Sequence, residues 1–428
     1  MAGAVYNSDF EAFGSLIERY SDEKRYQERV MNSLYKFIRH ADESEVFFDG
    51  KAFNISVNLQ LNEAYAAIND GEHLPDASVI KSVFASYKPK LHYSTMELTH
   101  FAATRGHKGG RIGGKYVDET VKSTLLSMTS GINFDLYGNG RGFRAKIESA
   151  TAAATSFIVA SSTRLRAGMK LDWYDSSYTT LRGTIQVAIK SVDRINKTVY
   201  IDTTYGTGAV PVGAAANDVL VVANALAAGE PTDGRYIAGL ARITDNSLPY
   251  GNLSASTYAQ WQCINQNASG GNLTQQLLQL QLDTMFVVSD MFPNKMVLNT
   301  VQKRTYLNQF LNQRQFTSNN FDTGASSLTF DPVMMGENEK RKKPRSLDIL
   351  EDPDCDADTV YFWSDECLMI GSDLYDEPTI ADEDGNEFRK RIGYDSDQGF
   401  IRYWANTVSP QRNGIGKISG LAVGSGVI

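Results

Sequence analysis

From Phe53 to Asn62 the chain alternates without a break: Phe53, Ile55, Val57, Leu59 and Leu61 are apolar, and Asn54, Ser56, Asn58, Gln60 and Asn62 between them are polar. A two-residue period sustained over that length is a strand with one dry face. After a polar, turn-rich connection (Asn69-Asp70-Gly71, Leu74-Pro75-Asp76) apolar positions resume at Val83, Ala85, Tyr87, Leu91 and Tyr93, with Phe84 out of phase. The two runs read as one long antiparallel hairpin. A lone hairpin is marginal in water, and no third run of this character follows directly. The stripe is therefore expected to be covered by another domain or by another subunit.

The 428 residues leave room for roughly two to four compact units with a sizeable core. Apolar residues at 42% and charged residues at 21% are the proportions of a folded soluble protein rather than a disordered one. A net charge of -8 argues against a chain whose main work is neutralising phosphate. No apolar run reaches the about 18 residues that a membrane span needs, so no membrane partner is expected. Met1–Ser8 has neither the basic nor the apolar segment of a signal peptide. Cys263, Cys355 and Cys367 are odd in number and lack CxxC spacing, so a reducing cytoplasm is expected, with neither a disulfide framework nor a structural zinc.

Five parts follow one another. Residues 1–40 read as a helical arm in two pieces, with Phe10, Phe13, Ile17 and Tyr20 on one face and Tyr26, Val30, Leu34 and Phe37 continuing it, broken at Ser21-Asp22-Glu23. Residues 41–100 hold the hairpin. Residues 101–143 hold a basic glycine loop, Gly106 to Gly114, and from Tyr116 a long helix striped by Val117, Val121, Leu125, Met128, Ile132 and Leu136, stopped by Gly138-Asn139-Gly140.

Residues 144–225 change abruptly to Thr, Ser, Val, Ala and Gly. Short strands are expected at Ser156–Ala160, Met169–Tyr174, Gly183–Ser191, Thr198–Asp202 and Val219–Ala223, which make a small inserted β-barrel or sandwich. Residues 226–428 are mixed. Asn272-Leu273-Thr274-Gln275 resembles a capping box for a helix carrying Leu273, Leu277, Leu280 and Met285. Phe292-Pro293 ends that region, Lys295–Leu298 reads as a strand, and Thr300 as the cap of a helix to about Leu311.

Several patterns invite a chemical reading. Gly109-Gly110-Arg111-Ile112-Gly113-Gly114-Lys115 matches the opening of a phosphate-cradling P-loop, but Tyr116 stands where a magnesium-binding hydroxyl belongs and Phe101–Arg105 is not a buried strand. All five histidines, His40, His73, His92, His100 and His107, lie in the first quarter of the chain, and neither a GxSxG elbow nor an HExxH helix is present. Hydrolase chemistry is unsupported, and no catalytic residue, cofactor or metal is expected. Asp352, Asp354, Asp356 and Asp358, and the run Asp382–Glu387, lack full calcium-loop spacing and read as solvated acidic turns. Lys340-Arg341-Lys342-Lys343-Pro344-Arg345 is the one strong basic run, readable as a nuclear signal, an exposed loop balanced by the acidic segment after it, or a salt-sensitive contact with a neighbouring acidic surface.

The order of parts resembles the major capsid protein of tailed phages, the HK-97-type α+β fold: helical arm, extended hairpin (Phe53-Asn54-Ile55, then Gly71-Glu72-His73-Leu74-Pro75), long helix ending Leu136-Tyr137-Gly138-Asn139-Gly140, inserted β-domain, mixed axial domain. Asp172-Trp173-Tyr174-Asp175 is similar to a segment of capsid insertion domains. The resemblance implies that the hairpin lies across a neighbouring subunit and that the long helix is the spine of a peripheral domain. It also implies that the chain associates with itself into hexamers and pentamers of an icosahedral shell, assembled in the host cytoplasm and found in the virion.

The shell would enclose double-stranded DNA without sequence-specific binding, which an acidic wall suits. A portal and decoration proteins are further implied partners. The arm starts almost at Met1, where many relatives carry a cleaved scaffolding segment, so a separate scaffolding protein is expected. Lys51 and Lys81 are available for a crosslink, but without a paired Asn and Glu context none is assigned. The expected intersubunit contacts are the dry hairpin face (Phe53, Ile55, Val57, Leu59, Leu61), buried only on assembly, and Lys340, Arg341, Lys342, Lys343 and Arg345. An encapsulin-like compartment of the same fold and, from another class, a P-loop nucleotide-binding enzyme are the alternatives.

Overall fold

The computed structural model describes residues 33–42, 45–70, 73–74, 76, 79–99, 112–183, 186–206, 208–226, 234–309, 347–372, 378–379 and 388–423. The chain divides into two units, one of Met1–Tyr35, Lys90–Asn133 and Ser372–Ala405, the other of Lys36–Pro89, Phe134–Gly371 and Asn406–Ile428.

In the first unit, strand Lys90–Thr99 pairs antiparallel with Ser396–Ala405 of the longer strand Ser396–Val408, and Phe388–Lys390 pairs on that strand's other side. One face of the central strand is dry: Ile401, Tyr403 and Ala405 are buried, and Tyr403 meets the edge of the Tyr35 ring at 5.9 Å. The short helix Ser33–Phe37 is fixed where the Leu34 and Tyr35 amides both donate to Asn133 Oδ1. The expected arm is described only from Ser33; its earlier residues lie outside the described ones.

The long helix runs Ile112–Tyr137, and its striped residues Met128, Ile132 and Leu136 are buried. It begins four residues before the expected Tyr116 and stops at Gly138, as expected.

The second unit contains the inserted module, a closed barrel with no free strand edge. Around the barrel the order is Thr198–Ile201, Ser156–Val159, Phe143–Ala150, Val219–Val222, Lys170–Tyr174 and Val187–Asp193, which pairs again with the first. Alternation sorts the side chains: Phe157, Val159, Val199 and Ile201 point into the barrel and Ile158 and Tyr200 point out. Trp173 is central, edge-on to Phe157 at 5.0 Å, with its indole Nε1 donating to buried Asp218 at 3.0 Å. Phe143–Ala150 was not foreseen as a strand, although Phe143, Ala145 and Ile147 alternate with Arg144, Lys146 and Glu148 in the two-residue period of one, and the expected Gly183–Ser191 strand lies instead at Val187–Asp193.

The rest of the second unit is built on a five-stranded mixed sheet in the order Ile264–Asn267, Ile415–Ser419, Val360–Trp363, Lys295–Leu298, Asp348–Glu351. Helix Gln275–Ser289 lays Leu278, Leu282 and Met285 into a core with Met296, Phe362 and Ile418. Its cap is Thr274, whose Oγ1 accepts from the Leu277 amide at 3.2 Å; of the expected stripe Leu273 and Met285 are buried in this core and Leu277 packs against it, whereas Leu280 is exposed. Helix Thr300–Gln309 is preceded by Asn299, whose Oδ1 accepts from the Val301 amide.

Candidate assembly surface

The alternating run folds as strand Phe53–Gln60, but its antiparallel partner is only Lys81–Tyr87, and a short strand, Phe47–Phe48, pairs on its other side. Leu91 and Tyr93, expected in the same hairpin, belong to the sheet of the first unit. Pro89 explains the break, since it has no amide to donate to a continuing ladder.

The stripe itself has two fates. Phe53 is 1% exposed, packed on the Phe48 ring at 5.2 Å; Ile55 and Val57 are also buried, Leu59 is half-buried, and Leu61 is 72% exposed. The expectation that this face dries only on assembly is therefore corrected for Phe53, Ile55 and Val57: they root the hairpin in its own chain.

The second strand is rooted equally firmly. Tyr87 Oη donates to the Ser409 carbonyl at 2.7 Å and its ring lies 4.9 Å from that of Tyr250. Burial pushes the Tyr87 hydroxyl well above its ordinary pKa, so it remains a donor.

Past Gln60 the apolar residues lose their cover. Leu61, Tyr65, Ile68, Leu74, Val79, Ile80 and Phe84 are all exposed, Tyr65 by 93%. An uncovered apolar series on a rooted projection is the mark of a protein–protein contact. Sequence reasoning passed over all but Leu61, since no two-residue period links them. The signal that was present is the number of large apolar residues in a segment that was read as a polar turn.

The other candidates divide. Lys340–Arg345 and Asp382–Glu387 lie outside the described residues, as do His100 and His107. Asp352 and Asp354 are buried, correcting the expectation of solvated turns: the Asp354 amide donates to Asp352 Oδ1 at 2.9 Å, and Arg164 donates to the Asp354 carbonyl. The cysteines are free and buried, with the Cys263 thiol pushed up to about 11 by burial.

The long helix starts at Ile112, within the candidate P-loop run whose first residues, 109–111, lie outside the described ones, and the strand that precedes them, Lys90–Thr99, pairs antiparallel with its neighbour, unlike the parallel strand that leads into a phosphate cradle. Among the described residues no cluster of His, Cys, Asp and Glu could hold a metal. A cleft of about 580 Å³ lies between barrel residues such as Lys146, Arg164 and Lys197 and the loop Pro353–Asp358. Its acids and bases offset one another, with Arg164 already bound to Asp356.

No family model and no curated protein matches the chain. Solved structures do. A subunit of the cyanophage A-1(L) capsid asymmetric unit matches with a TM-score of 0.51 at 11% identity, over 94% of this chain and 96% of that one. The cyanophage Pam1 capsid asymmetric unit gives 0.45 at 8% identity over 95% and 97%, and the holo-SrpI encapsulin complex from Synechococcus elongatus PCC 7942 gives 0.44 at 6% over 96% and 95%. The chain has the HK97-type capsid fold, mixed α+β, with a six-stranded barrel inserted.

Proposed function

We propose that this chain is the major capsid protein of a tailed phage, a structural subunit that associates with copies of itself, as hexamers and pentamers, into the icosahedral head around double-stranded DNA. It turns over no substrate and uses no cofactor. One observation carries the reading: a fold shared end to end with a phage capsid subunit bears a rooted hairpin whose apolar tip has no cover in its own chain.

The physical logic is additive. Fully burying a large apolar side chain contributes about 1.5–3 kcal/mol, and association and ordering costs offset part of that sum. A subunit that gives and receives such a contact on several sides gains enough to hold a closed shell. Leu59 and Leu61 begin the contact and the tip continues it, while Phe53, Ile55 and Val57 hold the hairpin base. Lys340, Arg341, Lys342, Lys343 and Arg345 fit a salt-sensitive intersubunit contact. The five-part division, with an arm to residue 40, an axial domain from 226 and the barrel on the outer face or between capsomers, belongs to the same reading. So do a separate scaffolding protein, a portal and decoration proteins.

Electron microscopy of the purified protein, co-expressed with any neighbouring scaffolding gene, tests this. Closed shells are the expected result, with nucleic acid inside those taken from infected cells. A dispersed monomer under all conditions would overturn the proposal, and shells filled with protein cargo would make the chain a compartment of the encapsulin kind.

A further inference from the structure

We infer that the inserted barrel is locked to the last turn of the long helix by three of its arginines, so that the glycine-rich crossing between the two is a rigid joint and not a hinge. The lock stands apart from the shell reading, since every group in it belongs to the second unit of a single chain. Gly138-Asn139-Gly140-Arg141-Gly142 sets three glycines in five residues between helix and barrel, the composition of a free swivel. Its surroundings remove that freedom.

The helix ends Phe134-Asp135-Leu136-Tyr137, and all four residues are buried. Arg144, on the first barrel strand, donates from Nη1 to Asp135 Oδ1 at 2.6 Å, with both side chains almost fully withdrawn from water. Arg166, in the barrel loop after Val159, lies 4.9 Å from the centre of the Phe134 ring, and Arg164, in the same loop, lies 5.6 Å from that of Tyr137. All three arginines are buried. Cations gathered at a helix C-terminus also meet the negative end of its dipole. A buried guanidinium that loses its partners is costly, so the barrel cannot swing away from this turn without stranding its arginines.

The crossing is held from other sides as well. The Tyr236 amide donates to the Gly140 carbonyl at 3.1 Å and the Val222 amide to the Gly142 carbonyl at 2.9 Å, so the chain leaving the barrel is bonded to the chain entering it. At Gly234, where φ is +59°, a Cβ would fall 1.9 Å from the Gly140 carbonyl oxygen, which leaves the two passes no slack. On the barrel side the Arg141 guanidinium lies 4.9 Å from the centre of the Tyr178 ring. Tyr178 has a φ of +63°, a conformation that an aromatic residue keeps only where its neighbours impose it.

Amide hydrogen exchange on the full chain tests the lock, with the Tyr236 amide reporting the crossing and the Ile201 amide, bonded to the Thr155 carbonyl, reporting the barrel. In the native chain the Tyr236 amide is expected to exchange as slowly as the barrel and not at the rate of an exposed loop. Arg144→Met should accelerate it by at least about a hundredfold while Ile201 stays protected. Tyr178→Ala, a half-buried position outside the barrel core, should accelerate it about threefold. If Arg144→Met also unfolds the barrel, seen as lost protection at Ile201, Tyr178→Ala decides alone. A Tyr236 amide that exchanges at loop rates in the native chain, or that Tyr178→Ala leaves unmoved, would overturn the lock and make the crossing a hinge.

Discussion

Arg164, on the inserted barrel, donates from Nη2 to the Asp356 carboxylate at 2.8 Å and from Nε to the Asp354 carbonyl at 2.9 Å. The Arg164 side chain is 5% exposed, whereas that of Asp356 is 41% exposed. The guanidinium therefore depends on this loop for its partners, and the barrel is pinned to the mixed sheet's loop at a point that its own closed core does not supply. Replacing Arg164 with Ala is expected to lower stability by about 2–4 kcal/mol, below the full range for a buried pair because Asp356 keeps water. Urea unfolding checks this, and a change under about 0.5 kcal/mol would show that the pin is dispensable.

Two glycines should respond oppositely to alanine. Gly131 lies inside the long helix with open space where a Cβ would stand, so Gly131→Ala is expected to stabilise by about 0.5–1 kcal/mol. Gly251 has a φ of +61° and a Cβ there would lie 2.8 Å from the Tyr87 ring, so Gly251→Ala should destabilise and loosen the hairpin root. Thermal melts of the pair decide it.

Asp175 caps a barrel loop, accepting from the amides of Thr179 and Thr180 and from the hydroxyls of Ser177 and Thr179. Those bonds, the Thr180 amide foremost, hold its carboxyl well below the usual carboxylate range. A carboxyl with a depressed folded pKa contributes stability above its unfolded value of about 3.9, and the contribution disappears as pH falls through the folded value. The melting gap between native protein and Asp175→Ala should be constant above about pH 5 and narrow steadily as the pH is lowered below about 4. A gap that does not change with acidification would assign the effect to something other than the carboxylate.

The three thiols should be silent in the folded state. Burial pushes the Cys367 thiol up to about 12 and raises Cys355 as well, so almost no thiolate forms near neutrality. A maleimide reagent should label no cysteine in the native protein and three after denaturation. Rapid labelling of the native form would show that the core around Cys263, Cys355 or Cys367 opens.

Deleting residues 66 to 78 should leave a soluble, folded chain, because the hairpin root is made by Phe53, Ile55, Val57 and Tyr87, none of which is removed. Closed shells should be lost. Normal shells from this variant, seen by electron microscopy, would refute the role of the tip.

The Phe53–Leu61 alternation, the striped helix ending at Gly138 and the abrupt change of composition near Phe143 sufficed to place a hairpin, a spine and an inserted β-module, because each depends on local period and turn chemistry. Strand Ser396–Val408 and strand Ile415–Ser419 were not legible, since their pairing partners lie far away in sequence and no local period marks them. Tertiary structure alone decided which residues of one alternating stripe stay dry: Phe53 and Leu61 are equivalent in sequence, yet the first packs on Phe48 and the second meets water. It also decided that Leu91 and Tyr93 leave the hairpin for another sheet, and that Asp352 and Asp354 are buried beside Arg164. Burial is a property of what surrounds a residue, and a sequence pattern specifies only which face can be buried, not where along that face the cover ends.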